Sequence, residues 1–72
     1  MNLNKHREFI KAHVMKAFAR VGKNDKESIS RMKILIDDIY ERNIDPSIID
    51  RAFITHAETS QFAPTLADIM NL

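Results

Sequence analysis

With 72 residues, no cysteine, and 29% charged against 44% hydrophobic side chains, the chain has the make-up of one small globular domain, without a disulfide framework or a thiolate zinc site to reinforce it. Its apolar runs are no longer than Ile34-Leu35-Ile36, which excludes a membrane-spanning helix and a signal-peptide core, so a cytosolic protein is expected. The net charge of +1 is split: residues 1–26 carry seven Lys/Arg against two acids and residues 27–72 carry four against eight, so the two halves either present opposite surfaces or neutralise each other on packing.

The first helix is predicted from Leu3 to Val21. Ile10, Val14, Ala17, Phe18 and Val21 recur on one helical face. Gly22 supplies the left-handed residue that ends many helices, with Arg20 and Lys23 suited to the negative end of the dipole. Asn24 is expected to cap a second helix, with Glu27 three residues on completing a capping box. Its core stripe reads Ile29, Met32, Leu35, Ile36, Ile39 and Tyr40, and it runs to about Arg42.

Asp45-Pro46 opens a third helix, because the carboxylate accepts from free backbone N–H groups and proline lacks only an N–H that has no partner there. Ile48, Ile49, Ala52, Phe53 and Ala57 are expected to face inward, and the helix to fade between Thr59 and Gln61. Pro64-Thr65 begins a short fourth helix, with Thr65 as cap and Asp68 at the favourable third position. No repeat, low-complexity stretch or strand-like alternation interrupts this pattern. The prediction is a single all-α domain over residues 1–72: a small bundle of three amphipathic helices plus a short C-terminal helix, with neighbouring helices packed on one another.

Few residues suggest reaction chemistry. A single glycine excludes glycine-rich phosphate loops. His6 and His13 are two turns apart, roughly 10 Å along the axis, so they cannot share a metal ion, and each is expected to be solvent-facing or partly packed. Asp37, Asp38 and Glu41 cluster on the second helix without a nucleophile or a second carboxylate pair, which reads as a solvated face. The serines lack a nucleophile-elbow context. No enzymatic activity, cofactor or small-molecule substrate is expected. His56 projects onto the apolar face of the third helix, where it is expected to be a buried imidazole bonded to a backbone carbonyl, or else a pH-sensitive packing element.

Three features suggest binding. Lys5, Lys16, Arg20 and Lys23 fall on one side of the first helix, nearly opposite its core stripe, with Phe9 among them. Such a stripe could meet phosphates and stack on a base, although a solvated lysine face with Phe9 at the core margin is the favoured reading. The second and third helices mimic a helix-turn-helix, but the start of the third carries Asp45, Asp50 and only Arg51, so they read as a plain hairpin. Ile34 and Ile54 project away from their core stripes among acidic neighbours. They are either covered within the bundle or meet a partner whose surface is basic.

The segment Ile48 to Ile69 resembles the loaders and inhibitors of replicative DNA helicases encoded by phages of Gram-positive bacteria. Phe62, Pro64, Thr65, Leu66, Ala67, Asp68 and Ile69 match that family's aromatic-x-Pro-Thr-aliphatic-Ala-acid-Ile signature, and a looser likeness covers residues 5–70. The same residues also make a generic helix start, in which Phe62, Leu66 and Ile69 anchor the core and Thr65 caps. The resemblance implies a replication-accessory protein without enzymatic activity, which binds a ring-shaped replicative helicase, holds it inactive and delivers it to the phage origin with an initiator protein. Family members carry a flexible C-terminal segment implicated in helicase contact. The resemblance therefore implies either that the chain is an excerpt or that its contacts come from the bundle surface. Two alternatives remain from other classes: a small nucleic-acid-binding protein using the basic stripe, and a stand-alone inhibitor of a host protein using Ile34 and Ile54.

Overall fold

The computed structural model describes residues 3–70, with side chains from Lys5 onward. Four helices follow in order: α1 (Leu3–Arg20), α2 (Lys26–Glu41), α3 (Pro46–Thr59) and α4 (Leu66–Met70). No strand occurs among the described residues, so the all-α bundle with a short C-terminal helix is what the chain forms.

Each boundary has a local cause. Gly22 has φ +73°. In that conformation its N–H reaches the Ala19 carbonyl and the Lys23 N–H reaches the Phe18 carbonyl, both at 3.0 Å, which closes α1 in a Schellman arrangement. Asn43, with φ 53°, a conformation asparagine tolerates better than most residues, ends α2 with its N–H on the Tyr40 carbonyl at 3.1 Å. At the start of α3 the Asp45 carboxylate accepts the Ser47 N–H at 2.8 Å, and Pro46 occupies the first turn. The α4 start is a full capping box: Asp68 accepts the Thr65 N–H at 3.0 Å while Thr65 Oγ1 accepts the Asp68 N–H at 3.3 Å.

The cap of α2 corrects one expectation. Asp25, not Asn24, holds the capping position, and its carboxylate accepts the Ser28 hydroxyl at 2.6 Å. Glu27 is taken up instead by Arg31 one turn later, at 2.8 Å.

α1 packs against both α2 and α3, and α4 packs against α3 and more lightly against α2. α2 and α3 make no close backbone approach and meet instead through core side chains and through α1 and α4, so the pair does not form a tightly packed helix hairpin. The core is shared among Ile10, Val14 and Phe18 of α1, Leu35, Ile36 and Ile39 of α2, Ile49, Ala52 and Phe53 of α3, and Ile69 of α4. A fully buried isoleucine gains about 1.5–3 kcal/mol, which is how a five-residue helix is held in place by Ile69 with Leu66 packed beside it.

Ile29 and Ile48, expected in the core, lie in the first turns of α2 and α3 and are 41% and 48% exposed. On α2 the buried position near the helix start is Ser28. Phe62 corrects a further expectation. It is 78% exposed, because the turn before α4 directs Ala63 and Pro64, not Phe62, toward the bundle.

Candidate functional site

Two surface grooves gather most of the candidate residues. The first, about 540 Å³, lies where the α1 C-terminus, one side of α2 from Glu27 to Asp38, and the segment leading into α4 meet. Phe18, Leu35, Ala63, Pro64 and Leu66 contribute apolar wall, Ile34 stands at the rim, and Lys23, Asp25, Glu27, Arg31 and Asp38 supply charge. Ile34 is 61% exposed and so sits open above this groove. The Pro-Thr-Leu part of the C-terminal signature thus forms one wall, and α2 forms the other.

The second groove, about 460 Å³, runs between α1 and α3. Ala12 and Ala17 face Phe53, Ile54 and Ala57 across it, with Lys16 and Arg20 on the α1 side and Asp50 and Glu58 on the α3 side. His13 bridges the two helices at this level. Its Nε2 is 2.8 Å from Asp50 Oδ1 and its Nδ1 is 3.0 Å from the Phe9 carbonyl. Both partners are acceptors, so both bonds exist together only when both ring nitrogens carry protons.

Ile34 and Ile54 therefore do not form one patch, since their grooves share no lining residue. Of the acidic cluster, Asp38 joins Ile34 in the first groove. Asp37 is engaged elsewhere, at 2.6 Å from Arg7 of α1, which is one site where the oppositely charged halves meet. Glu41 is exposed and lines neither groove.

The basic stripe divides as well. Lys16 and Arg20 border the second groove, Lys23 borders the first, and Lys5 is exposed away from both. Phe9 is half-buried against the core, with its ring centroid 4.5 Å from that of His13, so its face is not free to stack on a base. Of the four cations of the projected stripe, all exposed, Lys16 and Arg20 share the edge of the second groove, while Lys23, past the end of α1, borders the first.

In the C-terminal signature, Pro64 and Ile69 are buried, Leu66 is half-buried, Ala67 is exposed, and Thr65 and Asp68 serve the cap. His56 makes the expected bond to a backbone carbonyl, its Nε2 donating to the Phe62 carbonyl at 2.8 Å, but it is half-buried and not buried, with Nδ1 4.0 Å from Asp68 Oδ2. It thereby ties the turn before α4 to the end of α3.

His6 departs from expectation. It is only 7% exposed, and neither ring nitrogen has a hydrogen-bond partner. Its spacing one turn before Ile10 was the available signal, since it extends the α1 core stripe in register. Among the described residues no cluster of three or more His, Asp or Glu side chains could hold a metal ion, and no helix is long and apolar enough to cross a membrane. No family model, curated protein or solved structure matches the chain.

Proposed function

We propose that this chain is a phage-type DNA-replication accessory protein that binds a replicative helicase and loads or inhibits it through protein–protein contact. The observation that carries this reading is the first groove. The Pro64-Thr65-Leu66 segment, which bears the resemblance to helicase loaders and inhibitors, forms one of its walls, and Ile34 lies open at its rim. An open groove with apolar walls from Phe18, Leu35, Pro64 and Leu66, and with Lys23, Asp25, Glu27, Arg31 and Asp38 around them, suits a docked amphipathic helix or loop better than reaction chemistry. Phe62, in the turn leading into the same segment, offers a large exposed anchor of the kind enriched at interface hot spots.

Binding to a purified hexameric replicative helicase of a Gram-positive bacterium tests the proposal. Co-elution of the pair is expected, together with a change in the helicase's ATPase or unwinding rate. Ile34→Asp and Phe62→Ser are expected to weaken binding about tenfold or more each, because truncating an anchor in a partly desolvated pocket costs on the order of 1.4 kcal/mol or more. Helicase that elutes alone at high micromolar concentrations of both proteins would overturn the proposal.

A further inference from the structure

We propose that the groove between α1 and α3 is the interface of a two-fold symmetric dimer of this chain. The argument rests on how charge and side-chain size are distributed along it. His13 meets Asp50 at one level, and the groove continues along both helices to Arg20 and Glu58, so α1 and α3 run in the same direction. The α1 edge is cationic through Lys16 and Arg20, and the α3 edge is anionic through Asp50 and Glu58.

A face with one cationic and one anionic edge is complementary to itself under a single operation. A two-fold axis parallel to the groove sets α1 of one copy over α3 of the other without reversing either helix. Arg20 then stands opposite Glu58 of the second copy at nearly the same height, and Lys16 lies within reach of the second copy's Asp50. Both pairs occur twice. Placing α1 over α1 would instead set the cations against their own counterparts, so the charges select one arrangement.

The apolar floor fits the same geometry. Ala12, Ala17 and Ala57 are small enough to let a facing helix layer approach, and Ile54, 51% exposed, becomes the knob each copy inserts into the other. Two layers of two helices facing each other make a four-helix arrangement.

The size of the face sets the affinity. The 14 residues of α3 span about 21 Å, and two helix diameters give a width of about 20 Å, so each copy can bury on the order of 400 Å². A total near 800 Å² lies below the range of stable complexes, so the dimer is weak and forms at high micromolar concentration.

Sedimentation equilibrium of the full chain from about 10 μM to 1 mM tests this. A monomer–dimer equilibrium is expected across that range. Arg20→Glu and Glu58→Lys are each expected to weaken it about tenfold, because each reversal turns two attractive pairs per dimer into repulsive ones. An equimolar mixture of the two variants should recover near wild-type association. In the mixed dimer the introduced glutamate meets the introduced lysine, and the remaining Arg20 meets the remaining Glu58. The double variant R20E/E58K in one chain should recover it too, and helical circular dichroism confirms that each variant folds. A monomer at every concentration would leave the groove to some other occupant and overturn the proposal. So would a dimer indifferent to both reversals, or one weakened by each reversal but not restored in the mixture. The measurement involves no helicase, so its failure is distinct from failure of the proposed function.

Discussion

His6→Leu is the substitution whose outcome depends most directly on the geometry. The imidazole is 7% exposed on the core side of α1, its ring centroid is 5.8 Å from that of Tyr40, and neither nitrogen has a partner. Burying a polar group without a partner costs about 1–3 kcal/mol, and leucine removes that cost at nearly the same volume. Against this, the tilted ring pair with Tyr40 contributes about 0.5–1.5 kcal/mol and is lost. The balance is a gain of about 1 kcal/mol, which in a domain this small raises the melting temperature by about 4–8 °C. His6→Asn, which keeps unpartnered polar atoms and leaves space behind, is expected to lower it. Thermal and urea unfolding followed by circular dichroism measure both. A fall of about 1 kcal/mol or more in His6→Leu would refute the reasoning, since it would mean that the imidazole gains a hydrogen bond in the folded state.

Asp68→Ala removes the acceptor of the Thr65 N–H and hydroxyl and is expected to cost about 0.5–2 kcal/mol, the range for losing a helix cap. Hydrogen exchange should show the loss concentrated in α4, with faster exchange at Ile69, whose N–H bonds to the Thr65 carbonyl at 3.2 Å. The pH dependence of stability has a definite sign at two helix caps. The Ser28 hydroxyl holds the Asp25 carboxyl below its ordinary value of 3.8, and the Ser47 hydroxyl and backbone N–H do the same for Asp45. A carboxylate with a lowered folded-state pKa binds fewer protons in the folded than in the unfolded chain. Its contribution is therefore present above pH 3.8 and is lost as pH falls through the lower folded value. Urea unfolding between about pH 6 and pH 2.5 should show Asp25→Asn and Asp45→Asn flattening this acid limb. An unchanged slope in both variants would show that neither cap bond persists in solution.

The ends of the helices were legible because they are local. Asp45 and Pro46, Gly22, and the Thr65–Asp68 pair act through bonds that reach no more than five residues along the chain, so their chemistry can be read without knowing what lies across the bundle. The shift of the α2 cap by one residue is the same kind of local competition: Asp25 and Asn24 both qualify, and the Ser28 hydroxyl bonds to Asp25. The grooves were only half legible. Helical projection correctly placed Ile34 and Ile54 off their core stripes, but it could not say that they border different grooves. It also ran the side of α1 on to Lys23, whereas α1 ends at Arg20 and Lys23 borders the other groove.

By itself, then, the sequence determined the number of helices, where they begin and end, and the centre of each buried stripe, in Ile10–Val14–Phe18, Leu35–Ile36–Ile39 and Ile49–Ala52–Phe53. All of these follow from periodicity and from bonds between near neighbours. Only the tertiary structure decided the margins. It buried His6 and exposed Phe62, left Ile29 and Ile48 at the surface, and sent Lys16 and Lys23 to different grooves. The physical reason is that a margin residue is buried by whichever helix crosses it. Here α1 packs on both α2 and α3 while those two make no close backbone approach, an arrangement set by how all four helices fill one core together.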